Sequence, residues 1–250
     1  MRYKLKYDLH THTVFSHGKG QIEDNVRAGI AKGLKAIGIS DHGPGHVSYG
    51  IKRSAVPEMR RQITELRDKY KEIEIYLGVE ANIINPSGNL DVRRDEFDQY
   101  DYILAGYHFG VFGEKPIQAA IINSVNYIWS YKLHREFKWQ KKKNTELVIR
   151  SLYENDYYLL THPGDKGPFD IDAIAKACEE TDTLMDIITW HPDLTVPAIK
   201  TSMKYDVGFI ISSDAHHPSR VGDCEGGVKR ALEAGLDLSR IRNLEIVEEG

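Results

Sequence analysis

The 250-residue chain lacks several features that would assign it to a specialised class of protein. It has no run near the roughly 18 apolar residues of a transmembrane helix, so a membrane protein is not expected. Its first residues are too polar for a signal peptide. Its two cysteines, Cys178 and Cys224, are too few for a disulfide framework. Together these absences predict a cytoplasmic protein.

An excess of positive charge is also missing. Lys and Arg number 33 against 37 Asp and Glu, which gives a formal net charge of -4. Dedicated nucleic-acid-binding proteins are usually strongly basic, so nucleic acid is not the expected partner. The segment 132–143 is basic and contains Phe137 and Trp139, and aromatic residues among cations can stack bases. A solvated helix face is the preferred interpretation of this segment.

The sequence contains no Pro-, Gly- or Ser-rich linker and no internal repeat, which favours a single domain over residues 1–250. Short β-rich runs alternate with helical patterns, and this alternation indicates βα units around a parallel sheet. The predicted strands are Leu5–Leu9, Ala36–Ser40, Ile73–Val79, Tyr102–Gly106, Tyr157–Thr161, Leu184–Ile188 and Gly208–Ser212. The predicted helices are Ile22–Lys32, a second from Val56 or Pro57 to Tyr70, Ile117–Leu133, Thr145–Asn155, Asp170–Glu180, Val196–Tyr205 and Glu225–Ala234. Seven strands in this order predict an α/β fold with a closed or nearly closed barrel; an open doubly wound sheet is the alternative.

Histidine is the residue that the chain has in excess, with 11 copies that cluster at predicted strand ends. The first strand runs into His10 and His12, which point to the same side because residues two apart on an extended segment do so. Six of the seven predicted strands deliver a His, Glu or Asp at the same end. The nine residues are His10, His12, His17, His42, Glu80, His108, His162, Asp214 and His216. A parallel barrel would bring all nine to one rim.

The chemistry follows from the residue types. Any one of these side chains could simply be a hydrogen-bonded polar group at a strand end. Bringing nine of them together is unfavourable in free energy, because the groups lose water and like charges repel, unless cations compensate. Imidazoles and carboxylates without a thiolate suit Zn, Mn or Fe(II), and this number of ligands suits two or three ions. Because such ions lower the pKa of bound water towards about 7 and clamp phosphoryl oxygens, the sequence predicts hydrolysis of a phosphate ester.

These motifs, in this order, resemble the PHP (polymerase and histidinol phosphatase) family over essentially the whole chain. They are His10-Thr-His12 with His17, Ser40-Asp41-His42, Gly78-Val-Glu80, His108, Thr161-His162-Pro163 and Ser213-Asp214-Ala215-His216. The resemblance implies a distorted (β/α)7 barrel with a trinuclear metal centre. It implies that one ion is held by His10, His12, Glu80 and Asp214. It also implies a second ion on Glu80, His108 and His162, and a third on His17, His42 and His216.

Other residues near the predicted rim are candidates for substrate binding and catalysis. A phosphate substrate needs cationic anchors, and the candidates are Arg220 first, then Lys166 and Arg53. His191 is a candidate proton donor to the leaving alkoxide, with a structural role as the alternative. Asp41 is a candidate catalytic-site residue that orients a ligand imidazole through its second nitrogen.

The expected function is therefore a metal-dependent phosphomonoesterase that uses metal-activated water on a small phosphorylated substrate, with histidinol phosphatase as one form. Zinc, manganese and iron are the candidate metals. The alternative enzyme is a phosphodiesterase or exonuclease acting on nucleotides or oligonucleotides. The alternative from a different class is a non-catalytic regulatory module that binds metal without turnover.

Overall fold

The computed structural model describes residues 2–84, 87–111, 121, 123–191 and 193–247. Within these residues the chain forms β1 (Arg2–Leu5), β2 (Tyr7–Asp8), β3 (Ala36–Ile39), β4 (Glu74–Asn82), β5 (Tyr102–Gly106), β6 (Leu159–Leu160), β7 (Leu184–Ile188), β8 (Phe209–Ser212) and β9 (Leu244–Val247). Strands β2 to β8 form one sheet in chain order, and every neighbouring pair is parallel. The predicted α/β fold of seven parallel strands is confirmed.

The two outer strands of this sheet, β2 and β8, meet just beyond their carboxyl ends. Thr11 and Ala215 form a parallel bridge there. The backbone N–H of His12 donates to the carbonyl of Ala215 at 2.8 Å, and the N–H of Ala215 donates to the carbonyl of His10 at 3.3 Å. The sheet is therefore a nearly closed barrel, and its closure places the segment after β2 beside the segment after β8.

Helices cover the outside of the barrel. The α-helices are α1 (Ile22–Ala31), α2 (Val56–Lys69), α3 (Lys138–Glu154), α4 (Ile171–Glu180), α5 (Val196–Ser202) and α6 (Glu225–Ala234). A π-helical segment covers Asn126–Lys132, and short 3-10 helices cover Arg53–Ala55, Arg94–Gln99, Pro218–Arg220 and Leu238–Arg240. In α2, the residues Val56, Met59, Ile63 and Leu66 are buried because their helical spacing places them on one face. None of the described helices is long and apolar enough to cross a membrane.

Tyr102 lies at the amino end of the barrel, at the start of β5. Its hydroxyl donates to the carbonyl of Leu9 at 2.7 Å, and its ring lies against Gly38 and Gly78. A Cβ at Gly78 would lie 2.2 Å from Cζ of Tyr102, so these strand positions have room for the ring only because they are glycine. The histidine and carboxylate side chains described below lie at the opposite, carboxyl end of the barrel.

The structure corrects two of the predicted strands. The predicted strand Leu5–Leu9 is divided between β1 and the two-residue β2, and β1 pairs antiparallel with β9. The strand Leu244–Val247, whose sequence is Leu-Glu-Ile-Val, is not among the predicted strands. The predicted strand Tyr157–Thr161 is paired only at Leu159 and Leu160.

Three of the predicted helices also have different bounds. The helix predicted from Thr145 begins at Lys138. Its first part is not visible in the sequence, because the buried residues Gln140 and Asn144 are polar and interrupt the apolar periodicity. The helix predicted to Tyr205 ends at Ser202. Of the helix predicted over 117–133, residues 117–120 and 122 lie outside the described residues.

Candidate metal centre

Glu80, from the middle of β4, lies at the centre of a cluster of histidines. Its carboxylate oxygens lie 2.8–3.7 Å from the ring nitrogens of five residues, which are His10, His12, His42, His108 and His162. Glu80 is 1% exposed, and the hydroxyl of Thr161 donates to its Oε1 at 2.8 Å. Histidines that follow four different strands, β2, β3, β5 and β6, therefore converge on one buried carboxylate.

Asp214 is the second carboxylate of the cluster. Its Oδ1 lies 3.0 Å from Nε2 of His12, and 3.5 Å from both Nε2 of His10 and Nδ1 of His216. The backbone of Asp214 has a φ of 48°, in the left-handed region that is unfavourable for a residue with a side chain. Such strain is often found at functional sites, where the surrounding structure imposes it.

The cluster contains three groups of potential ligand atoms that lie within 4.8 Å of one another. These groups are His10, His12 and Asp214; His42, Glu80 and His108; and His12, His42 and His216. His17, which the family resemblance assigns to the third ion, is exposed at the edge of the cluster. Its ring centroid lies 4.1 Å from that of His216 and 4.8 Å from that of His42, so it adjoins this third group without belonging to it.

The donor set fits divalent cations. Five ring nitrogens and one carboxylate oxygen of the cluster are buried and have no hydrogen-bond partner: Nε2 of His10, both ring nitrogens of His12, Nδ1 of His42, Oε2 of Glu80 and Nδ1 of His108. The approaches of Glu80 Oε2 to His42 Nδ1, at 2.8 Å, and of Asp214 Oδ1 to His12 Nε2, at 3.0 Å, are not hydrogen bonds in their geometry. Each buried polar atom without a partner costs about 1–3 kcal/mol, which a shared cation would offset.

The electrostatics of the cluster favour ionised carboxylates and a neutral His12. Burial alone would raise the pKa of Glu80, but the neighbouring histidines, His108 and His10 foremost, hold it well below its usual range. The pKa of Asp214 is likewise lowered, against its burial, by His10 and His12. Burial, followed by repulsion from neighbouring rings, lowers the pKa of His12 well below its usual range. The carboxylates are therefore ionised and His12 is neutral at pH 7, as metal ligands must be.

We expect the chelator-treated protein to lose stability as the pH falls from about 6.5 to about 4. Burial lowers the pKa of His17 to about 4 and that of His108 to about 3, and it lowers that of His12 as well. The unfolded chain, with histidine pKa values near about 6.5, binds more protons in this window, so the free energy of unfolding decreases with acidification. We expect the Tm to fall by roughly 5–10 °C in a pH series of thermal melts.

Two histidines of the cluster have the opposite shift and do not cancel this trend. The pKa values of His10 and His162 are raised because attraction from the carboxylates, Glu80 foremost, outweighs the effect of burial. Below about pH 6.5 both the folded and the unfolded states carry these protons, so their contribution is constant across the window. The pKa values of Asp41 and Asp186 are raised by burial and act on the Tm in the opposite direction, so the protonation of the rings is checked by an NMR titration of the histidines. A ring of His12, His17 or His108 that gains its proton at about pH 6.5 would contradict the neutral state assigned to it.

Buried carboxylates outside the predicted set hold the cluster in place. Asp186, in the middle of β7, lies with Oδ2 3.1 Å from Nδ1 of His10, and the hydroxyl of Ser212 donates to its Oδ1 at 2.6 Å. Asp8 accepts from the hydroxyl of Ser213 and from the backbone N–H of Gly222, which fixes the segment after β8. Sequence reasoning missed Asp186, although a single charged residue within an apolar strand was a signal that could have identified it.

Asp41 does not make the contact that the sequence predicts. Its Oδ1 accepts from the backbone N–H of Thr13 at 2.7 Å and from the hydroxyl of Ser16, and its Oδ2 accepts from the hydroxyl of Thr13. The carboxylate is fully buried, and it shapes the turn between His12 and His17 instead of orienting an imidazole. The contact to a ligand imidazole that was expected of Asp41 is made by Asp186.

A pocket of about 450 Å³ opens above the cluster. Besides cluster residues, its wall includes His46, Tyr49, Phe109, Lys166 and His191. Nε2 of His191 lies 3.6 Å from Oδ2 of Asp214, and the amino group of Lys166 forms an ion pair with Asp165. Of the residues expected at the substrate site, His191 and Lys166 therefore lie at the pocket.

The two arginines expected at the substrate site lie elsewhere. Arg53 donates from Nε to Glu96 at 2.7 Å and from its terminal nitrogen to the carbonyl of Asp91 at 2.7 Å, and it does not line the pocket. The guanidinium of Arg220 lies 3.6 Å above the ring centroid of Trp190, the residue that precedes His191. Arg220 is thus stacked beside the pocket wall, whereas Arg53 is tied to another part of the surface.

The barrel and its buried imidazole–carboxylate cluster define a class of parallel-barrel proteins that can bind several divalent cations. Within that class, the chain belongs to the PHP domain family, whose family model matches residues 8–189. This match confirms the resemblance seen in the sequence motifs.

Several named proteins are similar in sequence over most of the length of this chain. A protein of Tolumonas auensis named probable phosphatase is 27% identical over 240 residues, covering 90% of this chain and 83% of its own length. The Shigella flexneri protein named probable phosphatase YcdX is 25% identical over 252 residues, covering 95% of this chain and 89% of its own. Both names agree with the enzyme class that the sequence predicts.

Solved structures share the fold. The histidinol phosphate phosphatase of Lactococcus lactis, solved with zinc, L-histidinol and phosphate, superposes with a TM-score of 0.63 at 16% identity. The alignment covers 92% of this chain and 94% of that one. A chain of an archaeal ribonuclease P complex with mature tRNA has a TM-score of 0.53 at 12% identity, with 97% and 98% coverage. At these identities the comparison shows the common fold alone.

Proposed function

We propose that the chain is a phosphomonoesterase that holds three divalent cations and acts on a small phosphorylated substrate. The observation that carries this proposal is the set of six buried, unpartnered ligand atoms beneath the pocket. The names of the relatives support the reaction class, and the Lactococcus structure shows that this fold can accommodate zinc together with phosphate. The pocket volume of about 450 Å³ suits a metabolite-sized ligand.

Bound divalent cations would supply Lewis-acid stabilisation of the phosphoryl oxygens and a more acidic water at neutral pH. Glu80 and Asp214, together with the imidazoles around them, would hold these ions and keep them apart at fixed positions. Because Glu80 lies within 4 Å of five histidines that follow four different strands, we propose that it would serve more than one of these ions. We propose zinc, manganese or iron as the metals, since the ligands are nitrogen and oxygen atoms.

Cationic groups near the pocket would bind the substrate. Lys166 lies in the pocket wall, and its ion pair with Asp165 orients the amino group there. We propose Lys166 as a contact for the substrate phosphate. We propose that Arg220, whose guanidinium is stacked on Trp190, contacts the part of the substrate that extends out of the pocket. Arg53 is left out of the proposal, because its donors are used by Glu96 and Asp91.

His191 is the proposed proton donor to the leaving alkoxide. It lines the pocket, and its Nε2 lies 3.6 Å from Oδ2 of Asp214, so a ring nitrogen of His191 lies beside the cluster. We expect His191→Gln to lower kcat for alkyl phosphates by about 10²-fold, because these leaving groups need a proton. An aryl phosphate with an acidic leaving group should be hydrolysed at close to the wild-type rate. Equal losses on both substrates would rule out the donor role.

The proposed function is tested by a phosphate-release screen on metal-analysed protein. The panel should include histidinol phosphate, sugar phosphates, nucleotides, phosphotyrosine and a generic aryl phosphate, with oligonucleotides as phosphodiester controls. Turnover of a monoester that is abolished by chelation is the expected result. Preferential cleavage of the oligonucleotides would favour the phosphodiesterase alternative. Metal binding without turnover of any ester would favour the regulatory module.

A further inference from the structure

The buried carboxylate of Asp186 has no role in the function proposed above. It is the only charged residue of β7, whose sequence is Leu-Met-Asp-Ile-Ile, and it is 0% exposed. An isolated carboxylate in such a place is costly unless its oxygens are satisfied. Here one oxygen accepts from the hydroxyl of Ser212 at 2.6 Å, and the other lies 3.1 Å from Nδ1 of His10. Both oxygens are therefore engaged, and the carboxylate is held in one orientation.

This arrangement determines which nitrogen of His10 carries a proton. A carboxylate can only accept hydrogen bonds, so Nδ1 of His10 must be the donor in its contact with Asp186. The lone pair of His10 is then on Nε2 whenever the ring is neutral. Nε2 is the atom that points into the cluster, 3.3 Å from Oε1 of Glu80 and 3.5 Å from Oδ1 of Asp214, and it has no hydrogen-bond partner.

We infer that Asp186 is a positioning residue, which fixes the tautomer and the ring orientation of His10 so that Nε2 is presented to a cation. Ser212, on the neighbouring strand β8, fixes Asp186 in turn. The inference deepens the proposed function and rests on it in one respect, namely that the cluster binds divalent cations. The hydrogen bond from His10 to Asp186 is independent of that proposal.

The first test measures metal affinity. Competition with a chromophoric chelator should show zinc bound about 10–100-fold more weakly in Asp186→Ala than in the wild type, because a carboxylate behind a ligand imidazole typically contributes this much. Asp186→Asn should lose less, since its amide oxygen can still accept from Nδ1. Ser212→Ala should lose least, because the carboxylate remains but can rotate. Zinc affinity that is unchanged in Asp186→Ala would overturn the inference.

A matched control separates positioning from a general loss of stability. Asp101 is also a carboxylate held in the fold, but by Arg60, Arg67 and the backbone N–H of Leu77, away from the cluster. Asp101→Asn should lower the Tm and leave the zinc affinity unchanged. If Asp101→Asn weakened zinc binding as much as Asp186→Ala did, the effect would be one of stability, and the positioning role would be rejected.

The second test does not depend on metal or on activity. In ¹H–¹⁵N spectra of both chelator-treated and zinc-loaded protein, the Nδ1–H of His10 should give a downfield, slowly exchanging proton signal, assigned by its absence in His10→Gln. Asp186→Ala should lose this signal. Its absence from the wild type, or its persistence in Asp186→Ala, would overturn the inference. A wild-type protein that shows the signal but binds no zinc would instead contradict the proposed function.

Discussion

Replacing Glu80 by Gln is expected to lower kcat/KM for the best phosphomonoester by about 10³-fold or more, a loss of about 4 kcal/mol in transition-state stabilisation. The negatively charged carboxylate of Glu80 lies within 4 Å of five histidines, and the amide of Gln is uncharged. The substitution preserves side-chain shape, so the barrel should still fold. The measurements are steady-state kinetics and the metal content of the purified variant, which we expect to drop by at least one ion per chain.

Glu96→Gln is the matched control for this substitution. Glu96 is also a mostly buried glutamate, at 7% exposure, but its carboxylate is used by Arg53 and by the backbone N–H of Arg93. Its loss should reduce the Tm and leave kcat/KM within about threefold of the wild type, because distant sites act independently. Wild-type activity in Glu80→Gln, or an equal loss in Glu96→Gln, would contradict the central place of Glu80.

Thorough removal of metal with a strong chelator is expected to abolish phosphate release, to below about 10⁻³ of the initial rate. The physical reason is that side chains alone, Lys166 included, cannot replace divalent cations in making a water molecule more acidic and in stabilising the phosphoryl oxygens. Adding back zinc, manganese or iron(II) singly should restore activity, and the ranking of the three should identify the preferred metal.

The same chelated sample also provides a structural readout. Metal add-back should raise the Tm, because ions that bind only the folded state stabilise it by mass action. Full turnover in protein shown by elemental analysis to be metal-free would contradict a metal-dependent mechanism. Loss of activity without any change of Tm on add-back would show that the chelator acts elsewhere.

The positions of the nine cluster residues could be predicted because a parallel barrel has a simple rule. Strands that alternate with helices all end at the same rim, so His10, Glu80, His162 and Asp214 had to meet once the strands were recognised. Separation along the sequence does not indicate which residues meet, since His10 and Asp214 are 204 positions apart (214 − 10). The topology of the barrel does indicate this.

What the sequence could not supply was the partner of each individual side chain. Asp41 precedes the candidate ligand His42, yet its carboxylate accepts hydrogen bonds from Thr13 and Ser16. Arg53 follows the second barrel strand, yet Glu96, which is 43 positions later, captures it. The hydrogen-bond partner of a side chain depends on its rotamer and on local packing, which the order of the strands does not determine. The grouping of His12, in place of His17, with His42 and His216 has the same origin.

The most direct test of this account is anomalous diffraction from crystals grown with zinc or manganese, with data collected at the absorption edge of the metal. We predict peaks between Glu80, Asp214 and the ring nitrogens of the surrounding histidines, with up to three metal positions. Well-ordered crystals in which these side chains bond only to one another, with no anomalous peak among them, would contradict the account.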